Sequence, residues 1–141
     1  MNSSSTQPHQ DPHSPEGTIL IVDDDDKGRE LTSLCLQSFG FRTLEVSNGR
    51  EVIERWDEVS DGVTLILTDV VMPGGVSGFE LGEWVQTKAP GMSVIFSSGF
   101  NRHPLSGKFR LREGENFISK PFSLESLVAL IRRNLAGGRT V

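Results

Sequence analysis

Three short apolar segments of the chain each end abruptly at polar residues. They run from Thr18 to Val22, from Val63 to Thr68 and from Met92 to Phe96, and most of their residues are Ile, Leu or Val. Apolar segments of this length that do not alternate with polar residues indicate strands buried on both faces, as in a parallel sheet. Weaker strand patterns run from Phe41 to Val46 and from Glu115 to Ile118, which predicts five strands in all.

Segments with apolar residues at helical spacing lie between the predicted strands. Gly40 is a stop signal after the first of them, and Ser123 is a good N-cap for the last. The segment from Asn101 to Gly114, where a fourth helix is expected, contains one proline and two glycines, which predicts a short or irregular helix. The sets that predict the other helices are Leu31, Leu34, Cys35 and Phe39; Val52, Ile53 and Trp56 within Arg50 to Asp57; Phe79, Leu81, Trp84 and Val85; and Leu124, Leu127, Val128, Leu130 and Ile131.

Strand and helix patterns therefore alternate about five times. This alternation predicts an α/β fold, a doubly wound five-stranded parallel sheet with helices on both faces. The length of 141 residues suits a single domain. Residues 1–17 are polar and rich in Ser, Pro and His, so we expect a disordered N-terminal tail, a folded domain over 18–136 and a flexible C-terminus over 137–141.

Composition and charge exclude several classes of protein. The formal net charge is −5 and Lys and Arg form no dense cluster, so direct binding of nucleic acid is not expected. The single cysteine, Cys35, excludes an internal disulfide and a CxxC metal motif. No apolar stretch approaches the roughly 20 residues of a membrane span, and no signal-peptide pattern opens the chain. We therefore expect a cytoplasmic protein without a membrane partner.

Polar residues follow four of the predicted strands. Ligands of a doubly wound sheet bind outside the carboxyl ends of its strands. Each of these residues alone has an ordinary explanation, as a helix-dipole acid, a turn former, a loop cap or a solvated charge. Their coincidence at successive strand ends favours a functional site. The residues are Asp23 to Asp26 after the first strand, Asp69 after the third, Ser97 and Ser98 after the fourth, and Lys120-Pro121 after the fifth.

Clustered carboxylates repel one another unless a cation lies between them. Oxygen ligands of this kind favour Mg²⁺, which binds one or two carboxylates together with phosphate oxygens. A carboxylate beside such a cation, here Asp69, can act as a nucleophile toward phosphorus and form an acyl phosphate. Lys120 could neutralise the phosphoryl oxygens, and the Ser97 hydroxyl could donate a hydrogen bond to one of them.

These residues stand in sequence motifs of a known family. The chain, from Thr18 to about Leu135, resembles the receiver domains of response regulators in two-component signalling. The resemblance implies a flavodoxin-like (βα)5 fold with strand order 2-1-3-4-5. The motifs are Ile-Leu-Ile-Val-Asp23-Asp24, Leu-Thr-Asp69-Val-Val-Met-Pro73 followed by Ser77-Gly78, Phe-Ser97-Ser98-Gly99, and Phe117-Ile-Ser-Lys120-Pro121-Phe122.

The resemblance implies a phosphorylation site with a bound cation. Asp69 would be the phospho-acceptor, and Lys120 would pair with the phosphoryl group. Asp24 would bind Mg²⁺ directly and Asp23 mainly through water, and Asp69 and the backbone carbonyl of Val71 would complete the protein ligands. Mn²⁺ is expected to substitute for Mg²⁺. The donor would be a phosphohistidine on a histidine kinase or a histidine phosphotransfer domain.

The resemblance also implies a conformational switch. Ser97 would be the switch hydroxyl and Phe117 the switch aromatic residue, which turns inward after Ser97 moves toward the phosphate. The chain would catalyse only its own phosphorylation and dephosphorylation, and homodimerisation on phosphorylation is a further expectation. The phosphate pocket would be completed by Ser98, Gly99 and Pro121, with a cis Lys120–Pro121 bond.

Two features set this sequence apart within that family. The loop Met72-Pro-Gly-Gly75 is one residue longer than the commonest form and is similar to a variant frequent in hybrid histidine kinases. Val71 and Gly99, the residues expected to flank a water in line with the phosphoryl bond, have no polar side-chain group that could orient it. We therefore predict slow self-dephosphorylation.

Other interpretations remain open at this point. A phosphatase of the haloacid dehalogenase type would need a second acid two residues after the nucleophile, where this chain has Val71. An inert receiver-like docking module would have lost pocket residues, whereas all are present here. Both a stand-alone regulator and the terminal receiver of a hybrid kinase fit the sequence. The chain contains no effector segment, so direct control of transcription is not expected.

Overall fold

The computed structural model describes residues 17–72, 74–99 and 111–136. One five-stranded sheet runs through this part of the chain, with strand order β2-β1-β3-β4-β5 and parallel pairing throughout. The predicted fold class and strand order are therefore confirmed. The elements are β1 (Thr18–Val22), α1 (Asp26–Ser38), β2 (Arg42–Val46), α2 (Gly49–Glu54), α3 (Trp56–Val59), β3 (Val63–Asp69), α4 (Gly78–Lys88), β4 (Ser93–Ser98), β5 (Phe117–Ser119) and α5 (Leu124–Ala136).

The sheet lies between two apolar layers. Successive strand residues point to opposite faces, so the β1 residues Ile19 and Ile21 pack in one layer while Leu20 and Val22 pack in the other. The first layer is covered by α1 and α5, and the second by α2, α3 and α4. Because both faces of β1 are covered, its sequence is apolar at every position from Ile19 to Val22 rather than at alternate ones.

Helix α5 follows its predicted pattern closely. The hydroxyl of Ser123 accepts a hydrogen bond from the backbone N–H of Ser126 at 3.0 Å, as expected of an N-cap. The apolar residues predicted for its inner face are buried, apart from the partly buried Leu124. Helices α1 and α5 are the longest described, with 13 residues each. None of the helices in the described ranges is long and apolar enough to span a bilayer.

Helix α1 forms where it was predicted, but two of the apolar residues that predicted it do not lie on its inner face. Leu31 and Leu34 are 62% and 63% exposed. The helix instead buries Leu36 and Ser33, whose hydroxyl lies 2.7 Å from the hydroxyl of Thr43 on β2. The inner face of α1 therefore combines the fully buried Leu36 with a hydrogen-bonded contact to β2.

Two other predictions differ from the structure or lie outside it. The single helix predicted over Arg50 to Asp57 is divided at Arg55, whose φ of −113° and ψ of 28° are not helical. Most of the predicted fourth helix falls on residues 100–110, which lie outside the described residues. So do residues 1–16 and 137–141, which cover the two predicted termini apart from Gly17. The described part before β5 is a turn with a single bridge between Glu113 and Phe117.

Candidate functional site

The carboxyl ends of four strands bring the predicted site residues to one edge of the sheet. Asp69 is the last residue of β3 and pairs in register with Ser97 of β4. The backbone N–H of Val70 donates to the carbonyl of Ser97, and the N–H of Lys120 donates to the carbonyl of Ser98, both at 2.8 Å. Backbone hydrogen bonds thus continue just beyond the strands and fix the relative heights of these residues.

Three carboxylates meet at this edge. Asp23, Asp24 and Asp69 each offer an oxygen, and the three oxygens all lie within 4.8 Å of one another. Such a spacing fits a single divalent cation with oxygen ligands. Val71, the predicted source of a carbonyl ligand, follows two residues after Asp69 with its side chain 66% exposed. The donor set therefore fits the cation that the sequence predicted.

Lys120 lies between two of these carboxylates. Its Nζ is 3.2 Å from Oδ2 of Asp23 and 3.6 Å from Oδ1 of Asp69. Burial lowers the pKa of Lys120, but the carboxylates of Asp69 and Asp23 outweigh that effect, and the pKa lies above its usual 10.5. The side chain is therefore a permanent cation beside the predicted nucleophile at neutral pH.

The ionised form of Asp69 is disfavoured by its surroundings. Burial raises its pKa from 3.8 to about 6, with Asp23 and Asp24 adding to the rise and Lys120 opposing it. Ionised Asp69 is thus less favourable here than in water. A second cation beside it would relieve that cost.

The predicted switch and pocket residues lie on β4 and β5. Ser97 is 4% exposed, and its hydroxyl has no hydrogen-bond partner among the described residues. Phe117 is already buried, packed with Val70 and Phe96. Ser98 is buried, Gly99 is exposed, and the Lys120–Pro121 bond is cis, as the resemblance implied.

The loop after Asp69 depends on three glycines. Gly74 and Gly75 have φ of 96° and 94°, a region that side chains disfavour. Gly78 donates its N–H to the carbonyl of Val70 at 2.8 Å. A Cβ at Gly78 would lie 2.0 Å from the carbonyl oxygen of Asp69, so only glycine allows this approach. Gly78 stands within a sequence motif, but nothing in the sequence alone predicts this close approach.

Arg29 is a residue that the sequence analysis missed. Its Nη1 donates to the backbone carbonyl of Asp23 at 2.7 Å, and its Nη2 lies 2.9 Å from Asp26. Its Nε donates to Glu45 on β2 at 3.1 Å. A basic residue six positions after Asp23 was the available signal, but its partner on β2 is set only by the fold.

Comparison with known proteins agrees with this geometry. A family model described as the response regulator receiver domain matches residues 19–132. The receiver protein CpdR of Brucella abortus is 31% identical over 117 residues, which cover 83% of this chain and 95% of CpdR. The receiver domain of the hybrid histidine kinase CckA superposes with a TM-score of 0.68 and 27% identity, covering 84% of this chain and 99% of that domain.

Other relatives are much longer than this chain. A cyclic di-GMP phosphodiesterase of Thermotoga maritima is 34% identical over 110 residues, which are 78% of this chain but 28% of that protein. The sensor kinase CckA of Brucella abortus is 30% identical over 122 residues, 86% of this chain and 13% of the kinase. The matched segment therefore makes up less than a third of each of these two relatives. The chain therefore belongs to the response regulator receiver domain family and is a receiver domain of two-component signalling.

Proposed function

We propose that Asp69 accepts a phosphoryl group from a phosphohistidine in a reaction that requires Mg²⁺, and that the chain catalyses only its own phosphorylation and dephosphorylation. The observation that carries this proposal is the convergence of the Asp23, Asp24 and Asp69 carboxylates with the Lys120 ammonium. A phosphatase of the haloacid dehalogenase type gains no support, because the position that would need its second acid is the apolar, exposed Val71.

Asp69 would act as the nucleophile. With a pKa of about 6, its carboxylate is mostly ionised at neutral pH. One of its oxygens forms the bond to phosphorus while the bond from phosphorus to the donor's histidine nitrogen breaks, and the nitrogen keeps the electron pair. Lys120, 3.6 Å away, is placed to neutralise a phosphoryl oxygen. Mg²⁺ held by Asp23, Asp24, Asp69 and the Val71 carbonyl would supply further charge neutralisation.

Ser97 would report the new phosphate. Its buried hydroxyl has no acceptor or donor among the described residues, an arrangement that costs free energy until a partner arrives. A phosphoryl group on the neighbouring Asp69 supplies three acceptor oxygens. Phe117 is already buried. Its proposed role is therefore that phosphorylation changes the fraction of molecules in which the ring points inward, and not that the ring starts from an exposed position. Ser98, Gly99 and Pro121 line the same pocket.

The phosphorylated state would be long-lived. The two positions expected to flank an attacking water are Val71 and Gly99, both exposed and neither with a polar side-chain group. Without such a group, the water has no protein partner on that side to hold it in line. The expected half-life is minutes or longer, measured by intact mass after removal of the donor. Loss of all label within seconds at neutral pH contradicts this.

The donor would be a histidine kinase or a histidine phosphotransfer domain. Such a protein must bring its histidine to the acidic edge and therefore cover the surface around it. Helix α1 starts immediately after the acidic loop, and its outward face carries Leu31 and Leu34. Exposed leucines on the helix that follows the acidic residues support α1 as part of the surface that the donor covers.

The proposal is tested by phosphorylating the protein with acetyl phosphate and measuring intact mass. We expect a gain of one phosphoryl group that requires both Mg²⁺ and Asp69, with Asp69→Asn as the control. Mn²⁺ should replace Mg²⁺. Sedimentation of labelled and unlabelled protein checks dimer formation in the same samples. No labelling by acetyl phosphate or by any phosphohistidine protein, together with no Mg²⁺ binding, would overturn the proposal.

A further inference from the structure

The acidic loop between β1 and α1 is held by two cations at two different atoms of Asp23. Lys120 contacts the Asp23 carboxylate at 3.2 Å, on the side of the nucleophile. Arg29 contacts the Asp23 backbone carbonyl at 2.7 Å. The first contact belongs to the site already described. The second fixes the backbone that carries the site, and nothing in the proposed reaction uses it directly.

Arg29 makes three contacts with one planar guanidinium group. Besides the Asp23 carbonyl, it reaches Asp26 at 2.9 Å and Glu45 at 3.1 Å. Asp26 opens α1 and Glu45 lies on the edge strand β2, opposite Ile21 of β1. The Arg29 side chain is only 12% exposed, and Glu45 is 33% exposed, so the contact with β2 is more shielded from water than that with the exposed Asp26. Arg29 thus ties the loop to the helix and to the sheet at once.

The contacts made by Asp23 and its neighbours restrict the orientation of Asp24. The N–H of Asp23 donates to the carbonyl of Val46 at 3.2 Å, and the N–H of Asp25 donates to the Asp23 carboxylate at 2.9 Å. With the Asp23 carbonyl held by Arg29, the peptide group that leads into Asp24 cannot rotate freely. Asp24 itself is exposed, so its carboxylate is aimed by the backbone rather than by packing.

We infer that Arg29 is a positioning residue that sets the affinity of the acidic edge for Mg²⁺ by fixing the backbone between Asp23 and Asp24. The inference rests on the proposed function, because it concerns the same cation site. Arg29 also lowers the repulsion within the run Asp23 to Asp26 through its ion pair with Asp26. Its role requires the three-way geometry of a guanidinium, which an ammonium group cannot reproduce.

The decisive measurement is the Mg²⁺ affinity of the full, unphosphorylated chain by isothermal titration calorimetry. Arg29→Gln should raise the Kd roughly ten-fold, the lower end of what removal of a group supporting a metal ligand produces. Arg29→Lys keeps the charge but loses the three contacts. The increase in log Kd for Arg29→Lys should therefore be more than half of the increase for Arg29→Gln. Wild-type affinity in Arg29→Lys would show that charge alone matters and would overturn positioning.

Arg55 provides a matched control. It also pairs with two carboxylates, Glu51 at 2.6 Å and Glu58 at 2.9 Å, but on the exposed side of α2 and α3. Arg55→Gln should leave the Kd for Mg²⁺ unchanged, and an equal rise there would overturn the inference. Glu45→Gln loosens only the tie to β2 and should raise the Kd less than Arg29→Gln. If Arg29→Gln fails to fold by circular dichroism, Arg29→Lys and Glu45→Gln carry the test.

Labelling by acetyl phosphate separates positioning from general damage. Arg29→Gln should label slowly at low Mg²⁺ and recover at saturating Mg²⁺, because Asp69 and Lys120 are untouched. Failure to recover would overturn the inference. A wild type that binds Mg²⁺ and is labelled, beside an Arg29→Gln variant of equal affinity, refutes the role of Arg29 alone. A wild type that neither binds nor is labelled refutes the proposed function.

Discussion

The body of the sheet and its carboxyl edge are built from opposite kinds of residue, although the same strands supply both. In the body, Leu20, Leu65 and Ile66 are fully buried among apolar neighbours. At the edge, Asp23 and Asp69 crowd together, and burial raises the pKa of Asp69 to about 6. The apolar body stabilises the fold, whereas the edge keeps carboxylates close together at a cost in stability.

The two long helices on one face show the same division. Helix α5 buries Leu127 and Ile131 in the layer beneath it. Helix α1 turns Leu31 and Leu34 outward and holds to β2 through Ser33. The apolar residues of α5 thus lie mostly in the core, whereas α1 buries Leu36 but leaves Leu31 and Leu34 exposed. Changes at body, edge and outward face should therefore differ in size and even in sign.

The largest effect is expected in the body of the sheet. Leu65 has no exposed surface and lies on the central strand β3. Leu65→Ala should lower the free energy of unfolding by about 3–4 kcal/mol, because it removes buried methyl groups and leaves a cavity. Urea unfolding followed by circular dichroism measures this. A loss below about 1 kcal/mol would mean that the body does not carry the stability assigned to it.

The next largest effect is expected where the edge meets α4. Gly78→Ala places a Cβ 2.0 Å from the Asp69 carbonyl oxygen, so the backbone must shift. We expect a loss of about 2 kcal/mol in the free energy of unfolding and slower labelling of Asp69. Gly91→Ala is the control, since a Cβ there would meet nothing within 4 Å. Equal free energies of unfolding and equal labelling rates in the two variants would show that the edge does not depend on Gly78.

At Asp69 the expected effect has the opposite sign. Its folded pKa of about 6 is higher than its usual 3.8, so the stability it contributes is complete below about pH 4 and lost as pH rises through 6. In metal-free protein at pH 7, Asp69→Asn should therefore raise the free energy of unfolding by about 1–2 kcal/mol, after allowance for screening by solvent.

The pH dependence distinguishes this effect from a general change in packing. Near pH 4 the difference between Asp69→Asn and wild type should disappear, because Asp69 is then protonated in the folded chain. Asp61→Asn, in the exposed turn before β3, should match wild type at both pH values. Urea unfolding at each pH gives the comparison. A stabilisation that persists unchanged at pH 4 would show that its cause is not the charge.

The smallest effect on stability is expected on the outward face of α1. The double variant Leu31→Ser/Leu34→Ser should change the free energy of unfolding by less than about 0.5 kcal/mol per site. Labelling by acetyl phosphate should be unaffected, whereas transfer from a phosphohistidine protein should fall. Leu44→Ser is a matched control, because Leu44 is an exposed leucine on β2. Unchanged transfer in the double variant would separate α1 from the donor surface.

Sequence predicted the body of the fold and the composition of the edge, because both depend on local pattern. Short apolar segments such as Thr18 to Val22 are typical of strands covered on both faces, and parallel strands bring their carboxyl ends to one edge. The missed features depend on contacts between distant elements. The inner face of α1 includes Ser33, which is hydrogen-bonded to Thr43, and Arg29 is held in part by Glu45 on β2. Neither contact has a signature along the chain.

The two tryptophans of the chain give it an unusual optical property. Trp56 and Trp84 pack edge to face, with ring centroids 5.3 Å apart, where α3 meets α4. Trp84 lies about 9 Å along α4 from Gly78, at the rise of an α-helix. The ultraviolet fluorescence of these tryptophans should therefore report the packing of α3 against α4. It should change little when a cation binds at Asp23 and Asp69. Unfolding can be followed by emission in the presence of any metal, without the two signals being confused.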